Sequence, residues 1–499
     1  MNRFEVRTRI RSGYLFGIPI RWAILLNFGL WANAVFAADR PNILLIVADD
    51  LGARDLGCYG SDLHESPVLD DLAKNAIKFE RAYAPSPVCT PTRASLMTGQ
   101  HPARLGITIW SEGASKPDRS RPLLPGDSLD HLPQKYVTLA EKLGSAGYRT
   151  AVVGKWHLGD GDMAAETQGF EVAIGGTRWG APPTFFWPYK NDTRFRDEFR
   201  YVPGLPFGRR GDYLTDALTS AAMRVIDDAG DDPFFLYLAH YAPHTPIEAP
   251  EDLVRKYESK IQDHLRHRNP TYAAMIENLD ANVGRVIDHL KRNGKYENTL
   301  IVFTSDNGGF LGDPKGRNGV VTTNAPLRSG KGSAYEGGIR VPLIMKLPAG
   351  SVSEPDAIRA RIIEERVLLT DLHFVILDLA GLDPLPAGTI ADGIDWAGNL
   401  TNTEKPWPNR PLYFHYPHYY ETTTPVSAMI DGDHKLLHYT EDGHTEVYDL
   451  SSDPGEMKDI SAADPHRTAR VLAMLNHWKS EVGAKEPTPN PQFGKESGK

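Results

Sequence analysis

Short apolar runs alternate along the chain with longer segments in which apolar residues recur at helical spacing. Four runs have the length and β-branched content of buried strands; they are Asn42 to Val47, Thr150 to Val153, Phe234 to Leu238 and Leu300 to Thr304. Helical patterns cover Val137 to Ala146, Tyr213 to Asp227, Tyr272 to Arg292 and Arg361 to Leu379. This alternation predicts an α/β fold with a large, mixed, mainly parallel sheet sandwiched by helices.

The pattern changes near residue 405. Short strand-like segments follow one another there, separated by the turn signals Asp431-Gly432 and Asp442-Gly443, and they predict a smaller C-terminal antiparallel sheet. Pro and Gly residues cluster just before this region, as is typical of a domain boundary. We therefore predict a large domain over residues 38–395, a small α+β domain over 396–485 and a frayed tail over 486–499.

The first 37 residues have the pattern of a secretory signal peptide. Five arginines precede an apolar stretch from Trp22 to Phe36, and Val35-Phe36-Ala37 is a small-residue cleavage pattern. An uncleaved anchor is the alternative, but Asn27 and Asn33 interrupt the stretch, which is shorter than the roughly 20 residues that a spanning helix needs. We therefore expect residues 1–37 to be removed and the protein to be periplasmic or secreted, with no stable membrane span.

The charge balance excludes one class of partner. The 499-residue chain has 55 Lys and Arg against 64 Asp and Glu, a net charge of -9. Residues 1–37 hold five Arg and one Glu, so their removal subtracts 4 and leaves -13. A nucleic-acid-binding protein normally carries a basic patch or stripe, and no long basic run follows the first residues. We expect no nucleic acid partner.

Carboxylates follow two of the predicted strands directly. Asp49-Asp50 comes after the first strand, and Asp306-Asn307 after the fourth. Either pair could simply cap a turn, but ligands bind beyond the carboxyl ends of parallel strands, where both pairs are expected to lie. Adjacent carboxylates repel each other unless a cation neutralises them. Oxygen ligands without His or Cys favour calcium or magnesium over zinc.

The segment from Cys89 to Gly99, Cys-Thr-Pro-Thr-Arg-Ala-Ser-Leu-Met-Thr-Gly, resembles the signature of the type I, formylglycine-dependent sulfatases. These arylsulfatase-like enzymes belong to the alkaline phosphatase superfamily. Other segments resemble the family's remaining motifs in order; they are Pro41-Asn42 through Gly52, Gly154 to Gly159, Pro243 to Pro246, Ser305 to Gly309, and Gly330 to Gly332 with Tyr335 to Gly338. The resemblance covers most of the chain and implies an alkaline phosphatase-like fold.

In this family the signature Cys is oxidised by a separate formylglycine-generating or anaerobic maturation enzyme, so the resemblance implies that Cys89 becomes formylglycine. Its aldehyde hydrate would be the nucleophile. A soft thiolate suits a hard cation poorly, and the oxygens of a hydrate remove this mismatch. The resemblance further implies one Ca²⁺, whose ligands would be Asp49, Asp50, Asp306, Asn307 and converted Cys89. Cys58 is the second of only two cysteines; one bridge is possible by count, but the fold does not rely on a disulfide framework.

The resemblance also implies the catalytic roles. Arg93 would steady the hydrate, while Lys155 and Lys331 would neutralise sulfate oxygens as charge develops. His244 would donate a proton to the leaving oxygen, and His157 would take one from the second hydroxyl of the hydrate. The expected reaction is hydrolysis of a sulfate monoester, of a sulfated carbohydrate or other sulfated small molecule, to alcohol and inorganic sulfate.

Two other functions fit the same motifs. Phosphonate or phosphodiester hydrolases share the Cys-x-Pro-x-Arg signature, and a catalytically silent protein could bind sulfated glycans without a nucleophile. Some residues stay unassigned at this point; they are His240, His415 and His418, together with the Thr177 to Arg210 insertion, whose Arg and aromatic residues would either bind a sulfated sugar or pack onto the body of the protein.

Overall fold

The four predicted strands are present in the computed structural model, which describes residues 40–115, 119–191, 199–205, 208–313, 315–316, 319–351, 361–384, 388, 390–402 and 404–494. The predicted signal peptide lies outside these residues. The strands are β1 (Asn42–Ala48), β2 (Ile77–Tyr83), β3 (Leu123–Leu124), β4 (Arg149–Gly154), β5 (Val172–Ile174), β6 (Phe234–Ala239), β7 (Thr299–Ser305), β8 (Gly312–Asp313), β9 (Gly319–Val320), β10 (Arg340–Lys346), β11 (Arg361–Leu368), β12 (Leu412–Tyr416), β13 (Val426–Asp431), β14 (His434–Tyr439), β15 (Thr445–Asp449) and β16 (Thr488–Pro489).

The helices of the described residues flank these strands. They are α1 (Pro67–Asn75), α2 (Cys89–Thr98), α3 (Pro102–Leu105), α4 (Ser111–Ser115), α5 (Leu139–Ser145), α6 (Leu214–Asp228), α7 (Glu251–Glu258), α8 (Pro270–Arg292), α9 (Glu336–Ile339), α10 (Leu372–Leu379), α11 (Ala397–Thr401) and α12 (Pro465–Val482). Short 3₁₀ turns occur at Gly57–Tyr59, Gly161–Met163, Ala165–Gln168 and Leu369–Asp371.

Eight strands form the main sheet in the order β11-β2-β10-β7-β1-β6-β4-β5. Strands β7, β1, β6, β4 and β5 are parallel neighbours, whereas β10 runs antiparallel to both β7 and β2. The predicted mixed, mainly parallel sheet is therefore confirmed. The four strands that the sequence predicts lie next to one another in the sheet, in the order β7-β1-β6-β4. Because they are parallel, the segments that follow them all begin at the carboxyl ends of the strands, on the same side of the sheet.

The two faces of the sheet carry separate apolar clusters because side chains alternate along each strand. Ile43 and Val47 of β1 pack with residues of α2, α5 and α10 on one face. Leu44 and Ile46 pack with α1, α6 and α8 on the other. All of these side chains are fully buried, so β1 is covered from both sides and holds the residues at its end in fixed positions.

One predicted helix is partly wrong. Arg361–Leu368 is strand β11, which pairs in parallel with β2 at the edge of the sheet. The segment is rich in β-branched residues, and Ile363 is buried while its neighbour Ile362 is exposed, which is the alternation of an edge strand. Only the end of the predicted helix is helical, as α10.

The predicted antiparallel C-terminal sheet is also confirmed, as β12-β13-β14-β15 in sequential order. Within segment 486–499, β16 pairs with β3, and residues after 494 lie outside the description. The boundary near residue 395 stays a prediction, because the chain from Pro41 onward forms one compact unit. Within the ranges given above, no helix combines the length and the apolar character that crossing a membrane requires.

Candidate active site

The carboxyl ends of the central strands bring the polar motifs together. Asp49 follows β1, Lys155 follows β4 and Asp306 follows β7. Gly154 makes the turn after β4 possible: it has φ +106°, and a Cβ there would lie 1.9 Å from the Ala239 carbonyl. The Lys155 amide can therefore donate to that carbonyl at 2.7 Å, which fixes where the lysine side chain begins.

The first two carboxylates each pair with a buried lysine. Lys155 Nζ donates to both oxygens of Asp49 at 2.9 and 2.8 Å. Lys331 Nζ lies 2.7 Å from Asp50 Oδ1 and 2.8 Å from Asp50 Oδ2. Burial raises the pKa of Asp49 despite Lys155, whereas Lys331 and His244 hold the pKa of Asp50 low although burial opposes them. Two carboxylates adjacent in sequence thus have different electrostatic surroundings.

The third carboxylate is held by the signature arginine. Arg93 Nε donates to Asp306 Oδ2 at 2.9 Å, and its NH1 group donates to the Lys155 carbonyl at 3.1 Å and to the Tyr237 hydroxyl at 3.2 Å. The other oxygen of Asp306 accepts from the Asp50 amide at 3.2 Å. Arg93 is fully buried, so it fixes the positions of these groups.

Asn307 carries an orphaned polar atom. Its amide nitrogen donates to Asp50 Oδ1 at 2.8 Å and to the Gly308 carbonyl at 3.0 Å. Its oxygen, Oδ1, is buried and has no hydrogen-bond partner among the described residues. A buried amide oxygen without a donor costs free energy, and a cation would satisfy it.

Cys89 is the first residue of α2, at its N-terminal end, and is buried. Its Sγ lies 3.5 Å from Lys331 Nζ, and single ligand atoms of Asp49, Asp50, Cys89 and His244 all lie within 4.8 Å of one another. Burial raises the pKa of the thiol to about 12 although Lys155 and Lys331 lower it. The unmodified thiol is therefore a weak nucleophile at neutral pH. Neither Cys89 nor Cys58 forms a disulfide.

His157 and His244 are each held in place through a different nitrogen of the imidazole ring. His157 Nε2 lies 2.9 Å from Glu112 Oε2, and its Nδ1 is buried without a partner in the described structure. His244 Nδ1 donates to the Thr245 carbonyl at 2.8 Å, which leaves Nε2 facing Asp50 Oδ2 at 3.5 Å. Burial lowers the pKa of His157 to about 4 and that of His244 to about 3, so both rings are neutral at pH 7.

These groups open into a cavity of about 330 Å³. Its wall combines motif residues with residues that have no motif; the lining is Asp50, Cys89, Trp110, Glu112, His157, Gly180, Ala181, Arg200, His244, Thr245, Phe310, Lys331, Tyr420 and Glu421. The insertion supplies Arg200, whose guanidinium lies over the Trp179 ring at 4.2 Å. The C-terminal region supplies Tyr420 and Glu421, so three separate parts of the chain build the pocket.

Most of the residues that the sequence left without a role contact other parts of the fold rather than the cavity that Cys89 lines. His415 contacts the Ser427 hydroxyl and the Lys485 carbonyl, and His240 is fully buried at the end of β6. His418 contacts Thr108 and lines a neighbouring cavity of about 440 Å³ that shares Trp110 with the first. In the insertion Phe185 is buried in the core; Arg194 and Arg196 lie outside the described residues.

A buried network supports the loop that carries Asp50. The Asp55 carboxylate accepts hydrogen bonds from the Gly52 amide and the Tyr272 and Thr322 hydroxyls. The Tyr272 hydroxyl also contacts the Asp50 carbonyl at 3.2 Å. Asp55 therefore connects the loop that carries Asp50 to helix α8. Its three donors explain why a carboxylate is buried there.

Sequence reasoning missed Glu112 and Tyr420. Glu112 lies on the short helix α4, outside every motif, and its carboxylate reaches His157 only because the loop after β4 turns toward it. Arg200 is one of several arginines in the insertion, for which the sequence leaves sugar binding and packing as alternatives. Local sequence carries no signal for such contacts, because they join segments that are far apart along the chain.

Comparisons with known proteins agree with the motifs. The sulfatase family model matches residues 41–382, and the model for the C-terminal region of N-sulphoglucosamine sulphohydrolase matches residues 330–482. A protein of Formosa agariphila described as a sulfatase is 32% identical over 91% of this chain and 92% of its own length. Human arylsulfatase A is 31% identical over 89% of this chain and 88% of its own.

Solved structures show the same architecture. The crystal structure of Ps i-CgsB in complex with k-i-k-neocarrahexaose is similar with a TM-score of 0.72 and 28% identity, covering 92% of this chain and 95% of that one. The fold and the site thus define a type I sulfatase of the alkaline phosphatase superfamily. The chain belongs to the sulfatase family and is a sulfuric ester hydrolase.

Proposed function

We propose that this chain is an exported sulfatase that removes sulfate from a sulfated carbohydrate, with formylglycine formed from Cys89 and one bound Ca²⁺. The observation that carries the proposal is the position of Cys89: it is buried at the start of α2, beside Lys331, and close to the carboxylates of Asp49 and Asp50 that follow β1. Formation of the aldehyde requires a maturation enzyme as partner. The predicted signal peptide supports export to the periplasm or beyond.

The residues present fit calcium. Asp49, Asp50, Asp306 and Asn307 offer oxygen ligands, and the unpartnered Oδ1 of Asn307 is an acceptor that no described donor uses. Converted Cys89 would add a further oxygen. Calcium prefers several oxygen ligands, including carboxylates and amide carbonyls. When bound, it supplies positive charge that stabilises developing negative charge on oxygen.

Of the remaining residues, the arginine and the lysines would hold charged groups, and the two histidines would transfer protons. Arg93 is fixed by Asp306 and Tyr237 and keeps the carboxylates in register beside Cys89. Lys155 and Lys331 balance charge on the sulfate oxygens. His244 presents Nε2 to the pocket beside Asp50, whose charge favours the imidazolium form, and in that form it would protonate the departing alcohol from Nε2. His157, through its unpartnered Nδ1, would accept the proton of the second hydroxyl.

The pocket supports a carbohydrate substrate. The aromatic residues Trp110 and Tyr420 line it beside the charged residues Arg200 and Glu421, which suits a ring with an apolar face and polar edges. The neighbouring 440 Å³ cavity beyond Trp110 leaves space for a second sugar. A structural relative was solved with a neocarrahexaose bound, which favours an oligosaccharide for this chain too.

The test uses the full chain, purified from a host that supplies a maturation enzyme. We expect hydrolysis of sugar sulfates and nitrophenyl sulfate, and peptide mass spectrometry showing the CH₂SH group of Cys89 replaced by CHO. Cys89→Ala should abolish turnover and keep the melting temperature. Faster hydrolysis of phosphonate or phosphodiester substrates than of any sulfate, or full activity with only unmodified Cys89, would contradict the proposal.

A further inference from the structure

We propose that Glu112 is a positioning residue that fixes the tautomer of His157, with Nε2 protonated and Nδ1 free to accept a proton. The inference rests on the proposed function, because it concerns the histidine that would accept a proton after the alcohol leaves. Glu112 belongs to no sulfatase motif identified in the sequence. Its assignment follows from the three contacts that its carboxylate makes.

The two carboxylate oxygens have different partners. Oε1 accepts from the Gly180 amide at 3.0 Å and from Arg200 NH1 at 3.3 Å. Oε2 lies 2.9 Å from His157 Nε2. An ionised carboxylate only accepts hydrogen bonds, and His157 together with the Gly180 amide holds the pKa of Glu112 well below its usual range although burial opposes them. Nε2 must therefore carry the hydrogen of the neutral ring.

The other ring nitrogen of His157, Nδ1, is free to accept a proton. His157 Nδ1 is buried, has no partner among the described residues and belongs to a ring that lines the same cavity as Cys89. With Nε2 protonated, Nδ1 has the free electron pair. A buried nitrogen that accepts nothing in the resting protein is available to the group that reacts.

The same geometry predicts an unusual effect of a conservative change. In Glu112→Gln the amide oxygen must stay at the Oε1 position, because the Gly180 amide and Arg200 can only donate to it. The amide NH₂ then occupies the Oε2 position and donates to His157 Nε2. This would force the ring hydrogen onto Nδ1 and remove the proton acceptor, while the size and the contacts to Gly180 and Arg200 are kept.

Glu141→Gln is the matched control. Glu141 lies on helix α5 and lines neither cavity, and its carboxylate accepts a hydrogen bond from the Thr138 amide at 2.7 Å, which glutamine can also accept. We expect Glu112→Gln to lower kcat by at least about 10²-fold, as a wrong tautomer does in other histidine–carboxylate pairs. Glu141→Gln should leave kcat close to wild type. If Glu112 had only a structural role, the Gln variant would retain activity.

The slow step in the variant should not depend on the alcohol. His157 would act on the sulfated intermediate after the alcohol has left, so in Glu112→Gln the kcat values for a sugar sulfate and for nitrophenyl sulfate should fall to the same limiting value. Rapid mixing of Glu112→Gln with nitrophenyl sulfate should show a burst of about one nitrophenol per enzyme before the slow phase. A loss confined to KM for the sugar sulfate would assign Glu112 to sugar binding and overturn the proposal.

The tautomer itself gives a readout without turnover. Imidazole ¹⁵N shifts of His157, assigned by their disappearance in His157→Gln, should show hydrogen on Nε2 in the wild type and on Nδ1 in Glu112→Gln. The measurement works on protein whose Cys89 is unconverted. An unchanged tautomer in Glu112→Gln overturns the inference, whereas absence of sulfatase activity in the wild type would contradict the proposed function alone.

Discussion

Gly180 packs so closely against the His157 ring that the displacement caused by an alanine at this position can be worked out from the structure. A Cβ added at Gly180 would lie 2.3 Å from Cε1 of the ring and 2.7 Å from Nε2. An ordinary carbon–carbon contact is about 3.5 Å, so Gly180→Ala would move the ring or the loop by about 1.2 Å. Gly180 does not have positive φ, so the backbone itself accepts alanine.

The displacement should disturb the ring at the atom that Glu112 holds. The hydrogen bond between Nε2 and Oε2 is 2.9 Å long, and a shift of about 1 Å at a reacting group can lower a rate by about 10²-fold. We therefore expect Gly180→Ala to lower kcat by about that factor. Because Gly180 is buried against the ring, relieving this overlap should also lower the melting temperature, at a cost of roughly 1–3 kcal/mol of stability.

Steady-state kinetics with nitrophenyl sulfate, together with thermal unfolding, measures both effects. Gly144→Ala on helix α5 is the control: its Cβ would lie 3.6 Å from Thr150, an ordinary contact, and alanine favours a helix by roughly 0.5–1 kcal/mol. Wild-type kcat in Gly180→Ala, with unfolding unchanged, would refute the reasoning that the glycine sets the position of the ring.

Two further predictions concern the metal and the acid. Chelation should lower both activity and melting temperature, because a cation that binds only the folded chain stabilises it, and metal analysis should find one calcium per chain; two zinc ions would instead indicate a phosphatase-like site. His244→Ala should slow a sugar sulfate by roughly 10²- to 10⁴-fold and nitrophenyl sulfate far less, because a good leaving group needs little protonation. Equal losses on both substrates would assign His244 to sulfate binding or loop support.

The centre of the fold was predictable because its strands are covered on both faces. Continuous apolar runs such as Asn42 to Val47 mark strands of this kind, and their ends fix where the chemistry lies. For this reason Asp49, Lys155 and Asp306 all lie at the carboxyl ends of the central parallel strands. Strand β11 was misread because it lies at the edge, where one exposed face gives a pattern that resembles half of an amphipathic helix.

The pocket wall was less predictable than its floor. The floor follows strand ends and motifs, whereas Trp110, Glu112 and Arg200 come from segments without regular pattern. Their positions depend on tertiary contacts such as the Arg200 guanidinium over Trp179. Substrate choice depends on this wall, so the sequence predicts the reaction more fully than the sugar.

The two lysines show what the motifs alone leave out. The family resemblance assigns Lys155 and Lys331 to sulfate, yet in the structure each is paired with a carboxylate, Asp49 or Asp50. Turning a buried lysine away would leave its carboxylate uncompensated, which is costly in a low-dielectric interior. The lysines can therefore serve the sulfate only if another cation takes over the carboxylates. The ion pairs and the orphaned Asn307 oxygen thus both support the cation that we propose for this site.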